Sequence, residues 1–182
     1  LVVFDTVTDI PLFSKNTVLP ITLKFDFKKL RKSRFIETSH PAQILYKGND
    51  TSEVILPLKI KARGNSRKSI CQFPPLRLNF PKKKVLNTIF HGLNKIKMVS
   101  YCKDTEMYEQ YILKEYYTYK MYNLLTEKSF KTRLLKVKYQ DVKRKKKVIE
   151  RFSFIIESEE HLTARLKATP IKIEKVQPTE TG

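Results

Sequence analysis

The chain predicts an α+β fold, a mostly antiparallel sheet with one long packed helix. Two observations carry it. Short runs alternate apolar and polar residues with period two, as in 20–27, where Ile21, Leu23 and Phe25 alternate with Thr22, Lys24 and Asp26. One stretch, 104–126, instead repeats its apolar residues with helical spacing, and two more alternating runs follow it.

The elements follow in order. Val2, Val3 and Phe4 open a short strand that Ile10 to Phe13 continues, and 20–27 is a half-buried strand. A basic connection at 28–34 with the length of a helical turn leads to a strand at 41–46. The turn signal Gly48-Asn49-Asp50 returns the chain as a strand at 53–62, so 41–62 reads as a hairpin. A second hairpin spans 60–80, with Pro74 and Pro75 forcing an extended entry to its return strand. Lys82, Lys83 and Lys84 form a charged turn, 85–90 a helical turn ended by Gly92, and 96–99 a short strand.

The long helix begins at Asp104, a capping residue type, with Glu106 and Glu109 complementing the dipole in its first turns. Tyr108, Ile112, Tyr116 and Tyr119 make one apolar face. Tyr111, Leu113, Tyr117, Met121 and Leu124 widen it, which predicts a helix buried on most sides. The runs 134–139 and 148–156 form a strand pair with the basic loop 143–147 at its tip. A short helix at 158–166 follows. The domain therefore reads as 1–167, with 168–182 a linker or tail.

Composition narrows the partners. With 37 Lys and Arg against 18 Asp and Glu, the formal charge is +19, which draws polyanions, nucleotide phosphates, anionic lipids or acidic proteins. No apolar run is long enough to span a membrane. The two cysteines, Cys71 and Cys102, cannot supply a four-ligand zinc site. They read equally as buried thiols or as a disulfide, the latter implying an oxidising compartment. His40, His91 and His161 stand apart at no ligand spacing, and no nucleophile elbow, P-loop or dinucleotide fingerprint occurs. Asn49-Asp50-Thr51 fits a glycosylation acceptor.

The stretch 58–80, LKIKARGNSRKSICQFPPLRLNF, carries the functional expectation. A tight basic turn between strands can hold an anion with backbone N–H groups and arginine forks; the same residues also suit a plain structural turn. Arg63-Gly64-Asn65-Ser66, the strand at 76–80, Lys97-Met98-Val99, the Asp104-led helix and Phe154-Ile155-Ile156-Glu157 together resemble the amino-terminal part of the CotH family of atypical protein kinases. Cys71-Gln72-Phe73-Pro74-Pro75-Leu76 is also similar to a group of exported bacterial proteins.

That resemblance implies a kinase small-lobe-like sheet roofing a nucleotide, braced by the long helix. It marks Arg63, Asn65, Ser66, Arg77, Glu115 and Glu157 as cofactor-binding candidates, with Arg77 and Glu115 as counterparts of the kinase lysine–glutamate pair. It implies ATP and Mg²⁺ for a full-length protein, a separate carboxy-terminal lobe and a protein substrate. No metal-binding acidic set follows residue 160, so the chain alone is expected to be inactive. Asn79 and Pro74-Pro75 depart from the family pattern. An exported, periplasmic or extracellular, setting is expected, with a cytoplasmic one left open. The alternative is a non-catalytic basic binding module for an acidic partner or polyanion. The dispersed charge and the lack of an RNA-binding aromatic motif argue against sequence-specific nucleic acid.

Overall fold

Alternation along the strands separates an apolar inside from a charged outside. In the computed structural model, which describes residues 10–48, 50–144 and 148–171, strand β1 (Leu19–Phe25) buries Ile21, Leu23 and Phe25. Asp26 then stops the strand, its carboxylate accepting the Lys29 N–H at 2.9 Å, and caps helix α1 (Phe27–Lys32). Strands β2 (His40–Lys47) and β3 (Glu53–Ala62) pair antiparallel over the whole length of β2, from His40 opposite Ile60 to Lys47 opposite Glu53. A single-turn helix, α2 (Ser66–Ile70), separates β3 from β4 (Leu76–Asn79), and β5 (Lys95–Val99) follows. The long helix α3 (Glu106–Leu125) leads to β6 (Thr132–Asp141), β7 (Val148–Ile156) and a closing helix α4 (Glu159–Leu166).

The α+β, kinase small-lobe-like expectation is corrected here. The sheet does not remain open. It closes into a seven-stranded barrel in the order β1-β2-β3-β4-β5-β7-β6. Every pair is antiparallel except the seam, where β1 and β6 run parallel from Leu19 opposite Leu135 to Phe25 opposite Asp141. Closure converts the concave face expected to roof a nucleotide into a sealed interior. Leu23, Ile44, Ile60, Leu76, Leu78, Met98 and Ile155 fill it with no solvent exposure, as small barrels do.

The helix is corrected as well. Only Ile112 and Tyr116 are fully buried. They lie on a small outer cluster with Val99, Leu134, Phe154 and Ile156, so α3 rests against the outside of β6 and β7 rather than inside the fold. Of the other expectations, the strand at Val2–Phe4, the Asn49 acceptor, the loop 145–147 and residues 172–182 of the tail lie outside the described residues.

Aromatic rings close both ends of the barrel. At one end Phe80 stacks on Phe90 at 4.9 Å and Tyr46 meets Phe90 edge-on at 5.5 Å. At the other, Phe73 stacks on Tyr101 at 4.8 Å and both meet Tyr139 edge-on, at 5.0 and 5.3 Å. Tyr139 shares a 2.6 Å hydrogen bond with the Ser153 hydroxyl inside the barrel. The Cys71–Cys102 disulfide joins the residues flanking Phe73 and Tyr101, and the Phe73 N–H donates to the Cys102 carbonyl at 3.2 Å. Of the two readings left open for the cysteines, the structure contains the disulfide, which ties the aromatic plug to the wall.

Two outcomes follow for stability. The disulfide closes a loop with a sequence separation of 31, so Cys71→Ala/Cys102→Ala is expected to lower the unfolding free energy by about 3–4 kcal/mol in denaturant titrations; a loss under about 1 kcal/mol contradicts this. Burial holds the Tyr101 and Tyr139 phenols protonated well above the ordinary tyrosine range. They ionise near pH 10 only in the unfolded chain, so their contribution is intact below that pH and falls above it by about 1.4 kcal/mol per pH unit for each phenol. Urea midpoints should decline more steeply with alkalinity in the parent than in Tyr139→Phe; equal slopes refute the assignment.

Candidate functional site

The outer wall of β3, β4 and β5 is where sequence and closure combine. Leu58, Ile60 and Ala62, Leu76 and Leu78, and Ile96 and Met98 point inward, so Lys59 and Lys61, Arg77 and Asn79, and Lys95 and Lys97 point outward. Register then sets these cations side by side: Lys61 is opposite Arg77, which is opposite Lys97, and Lys59 is opposite Asn79, which is opposite Lys95. Like charges directly across a ladder repel and cost stability unless something negative lies over them.

Carboxylates cover part of this wall. Glu37 pairs with Lys61 and, at 3.3 Å, with Lys68; those two hydrogen bonds hold its carboxyl below the usual range. Lys97 reaches Glu159 at 2.8 Å. Lys59, Arg63, Arg77 and Lys95 form no ion pair among the described residues. A second basic surface is an open depression lined by Lys28, Arg31, Lys32, Arg34 and Phe35, where Arg34 donates to the Cys71 carbonyl at 3.3 Å.

Arg63 is half-buried, as are Arg77, Lys61 and Lys97. Its N–H donates to the Pro75 carbonyl at 2.8 Å, continuing the β3–β4 ladder one step beyond the strands. Gly64, at φ +93°, makes the left-handed step that starts α2 and delivers Arg67 beside it. Burial is the main reason the Arg63 guanidinium is less basic than normal. The charges of Arg77 and Arg67 add to this, and Glu115 and Tyr119 offset it in part. The three arginines therefore feel one another's fields at the edge of α3.

The structure brings Arg63, Arg77 and Glu115 into this neighbourhood, but the partner of Glu115 is Arg67, at 3.2 Å, and not Arg77. Asn65 and Ser66 are exposed at the start of α2; the Asn65 side chain forms no capping bond, and the Ser66 carbonyl accepts from the Ser69 hydroxyl at 2.7 Å.

Glu157 is bound by other groups. It is 2% exposed, accepts from the Lys131 N–H at 2.9 Å and from Arg165 at 2.9 and 3.2 Å, and so clamps α4 to the start of β6. Sequence reasoning missed Arg67, Lys61 and Lys97. The signal was present in the alternation of Lys59 with Lys61 and of Lys95 with Lys97, but their adjacency depends on register. Among the described residues no group of three or more His, Cys, Asp or Glu side chains is placed to hold a metal ion.

Because Glu157 neutralises a largely buried arginine, Glu157→Ala is expected to cost about 3 kcal/mol in thermal or denaturant unfolding while leaving anion binding at the basic wall unchanged; a stable variant with impaired binding reverses that assignment. No family model, curated protein or solved structure matches the chain.

Proposed function

We propose that this protein is a non-catalytic module that binds a phosphorylated or sulfated polyanion on the outer wall of β3, β4 and β5. The observation that carries the reading is the row Lys61–Arg77–Lys97, set directly opposite one another, with Arg63 and Arg77 forming no ion pair among the described residues. A polymer with regularly spaced anions offsets the repulsion in that row, and the planar guanidinium forks of Arg63, Arg67 and Arg77 grip phosphate or sulfate oxygens in pairs. The barrel interior is filled by its own side chains, which leaves binding to the outer surface. Where β3, β4 and β5 pair, the outward residues are cations and Asn79 rather than aromatic rings, which favours backbone charge over base stacking. The disulfide suits an oxidising, exported setting.

The test is a titration with inorganic polyphosphate and with heparin over a range of salt. Neutralising about four anions should weaken binding roughly 50-fold between about 50 and 200 mM salt. Arg63→Glu/Arg77→Glu should abolish most of the affinity and flatten the salt slope. Lys138→Glu, on the β6 wall, should change it little. A flat salt response, or equal losses in the two variants, removes this reading.

A further inference from the structure

A second surface is unaccounted for by the basic wall. Helix α3 is apolar on two opposite sides. One side carries Ile112 and Tyr116 into the cluster on β6 and β7. On the other, Tyr117, Met121, Leu124 and Leu125 recur at i, i+4, i+7 and i+8, which places them on one stripe facing away from the barrel. Leu124 and Leu125 are 88% and 81% exposed, and Met121 is 64% exposed. A continuous apolar stripe on a water-facing helix marks something that covers it.

The surroundings identify what covers it. Residues 117–131 contain Lys120, Lys128 and Lys131 against a single acid, Glu127, and Lys114 lies on the same outward side one turn before Tyr117. A second copy of a chain with charge +19 is repelled at this surface. The side chains protrude rather than line a groove. Aliphatic tips, tyrosines with polar ends and flanking lysines are the combination that lies in the headgroup layer of an anionic bilayer. No described helix is long and apolar enough to cross a membrane.

We infer that the carboxy-terminal half of α3 docks the protein on an anionic lipid surface, with Leu124, Leu125 and Met121 entering the acyl boundary and the lysines meeting the headgroups. This is independent of the polyanion site, since its apolar stripe faces away from the barrel wall.

The experiment is co-sedimentation of the whole chain with phosphatidylcholine vesicles, with and without about a third phosphatidylserine. The neutral variant Leu124→Gln/Leu125→Gln changes no charge and touches no buried residue, and circular dichroism confirms its fold. The expected result is strong binding to the phosphatidylserine vesicles, weak binding to phosphatidylcholine alone, and a roughly tenfold or greater loss in the Gln variant. That variant should still bind polyphosphate, so failure here is separable from failure of the polyanion reading. Vesicle binding that is absent, or unaffected by the Gln substitutions, overturns the inference. Light scattering that shows a dimer dissolved by those substitutions overturns it equally, because the stripe is then covered by a second copy.

Discussion

The parallel seam between β1 and β6 is the constraint on which the other features rest. Seven strands whose alternation is consistent still define no inside until the first edge meets the last. Once it does, the polar residues of the β3, β4 and β5 ladder are committed to the outer surface. The chain cannot hide its cations in a cleft, and register alone decides which of them become neighbours. The same closure leaves α3 outside the core, with one face to pack and one to expose.

The aromatic plug and the disulfide act together at one end of that closed wall. Phe73 follows a helical turn and precedes two prolines, an arrangement with little regular hydrogen bonding of its own. Its position is fixed by the bond to the Cys102 carbonyl, by stacking on Tyr101 and by the neighbouring Cys71–Cys102 link. The Ser100 hydroxyl adds a bond to the Pro74 carbonyl at 2.9 Å. This anchoring makes the β3–β4 connection rigid enough to present Arg63 and Arg67 from defined positions on a surface that otherwise repels itself.

Local features of the fold were legible and long-range ones were not. Period-two spacing placed Ile21, Leu23 and Phe25 inside, and helical spacing located α3. The β1–β6 pairing joins segments on either side of most of the chain, and no local residue pattern announces it. The apolar breadth of α3 was readable, but composition does not distinguish one wide buried face from two opposed stripes, so Tyr117 and Leu124 were grouped with Ile112. At the candidate site, Arg63 is read from the basic turn, whereas Arg77 and Glu115 are marked only by the family resemblance. The ion pair from Arg67 spans 48 residues, and the Lys61–Arg77–Lys97 row exists only after three strands are aligned. Glu157 enters the candidate set only through the family resemblance, and in the structure it accepts from the Lys131 N–H and from Arg165.

The shallow seat of α3 has a thermodynamic consequence. A 20-residue helix held by two fully buried side chains, Ile112 and Tyr116, and by peripheral bonds such as Glu109 to the Phe152 N–H at 2.7 Å can open sub-globally while the barrel stays hydrogen-bonded. Its amides are expected to exchange faster than those of the barrel strands. A partner covering the outward stripe would shift that opening equilibrium and leave the barrel as the fixed frame.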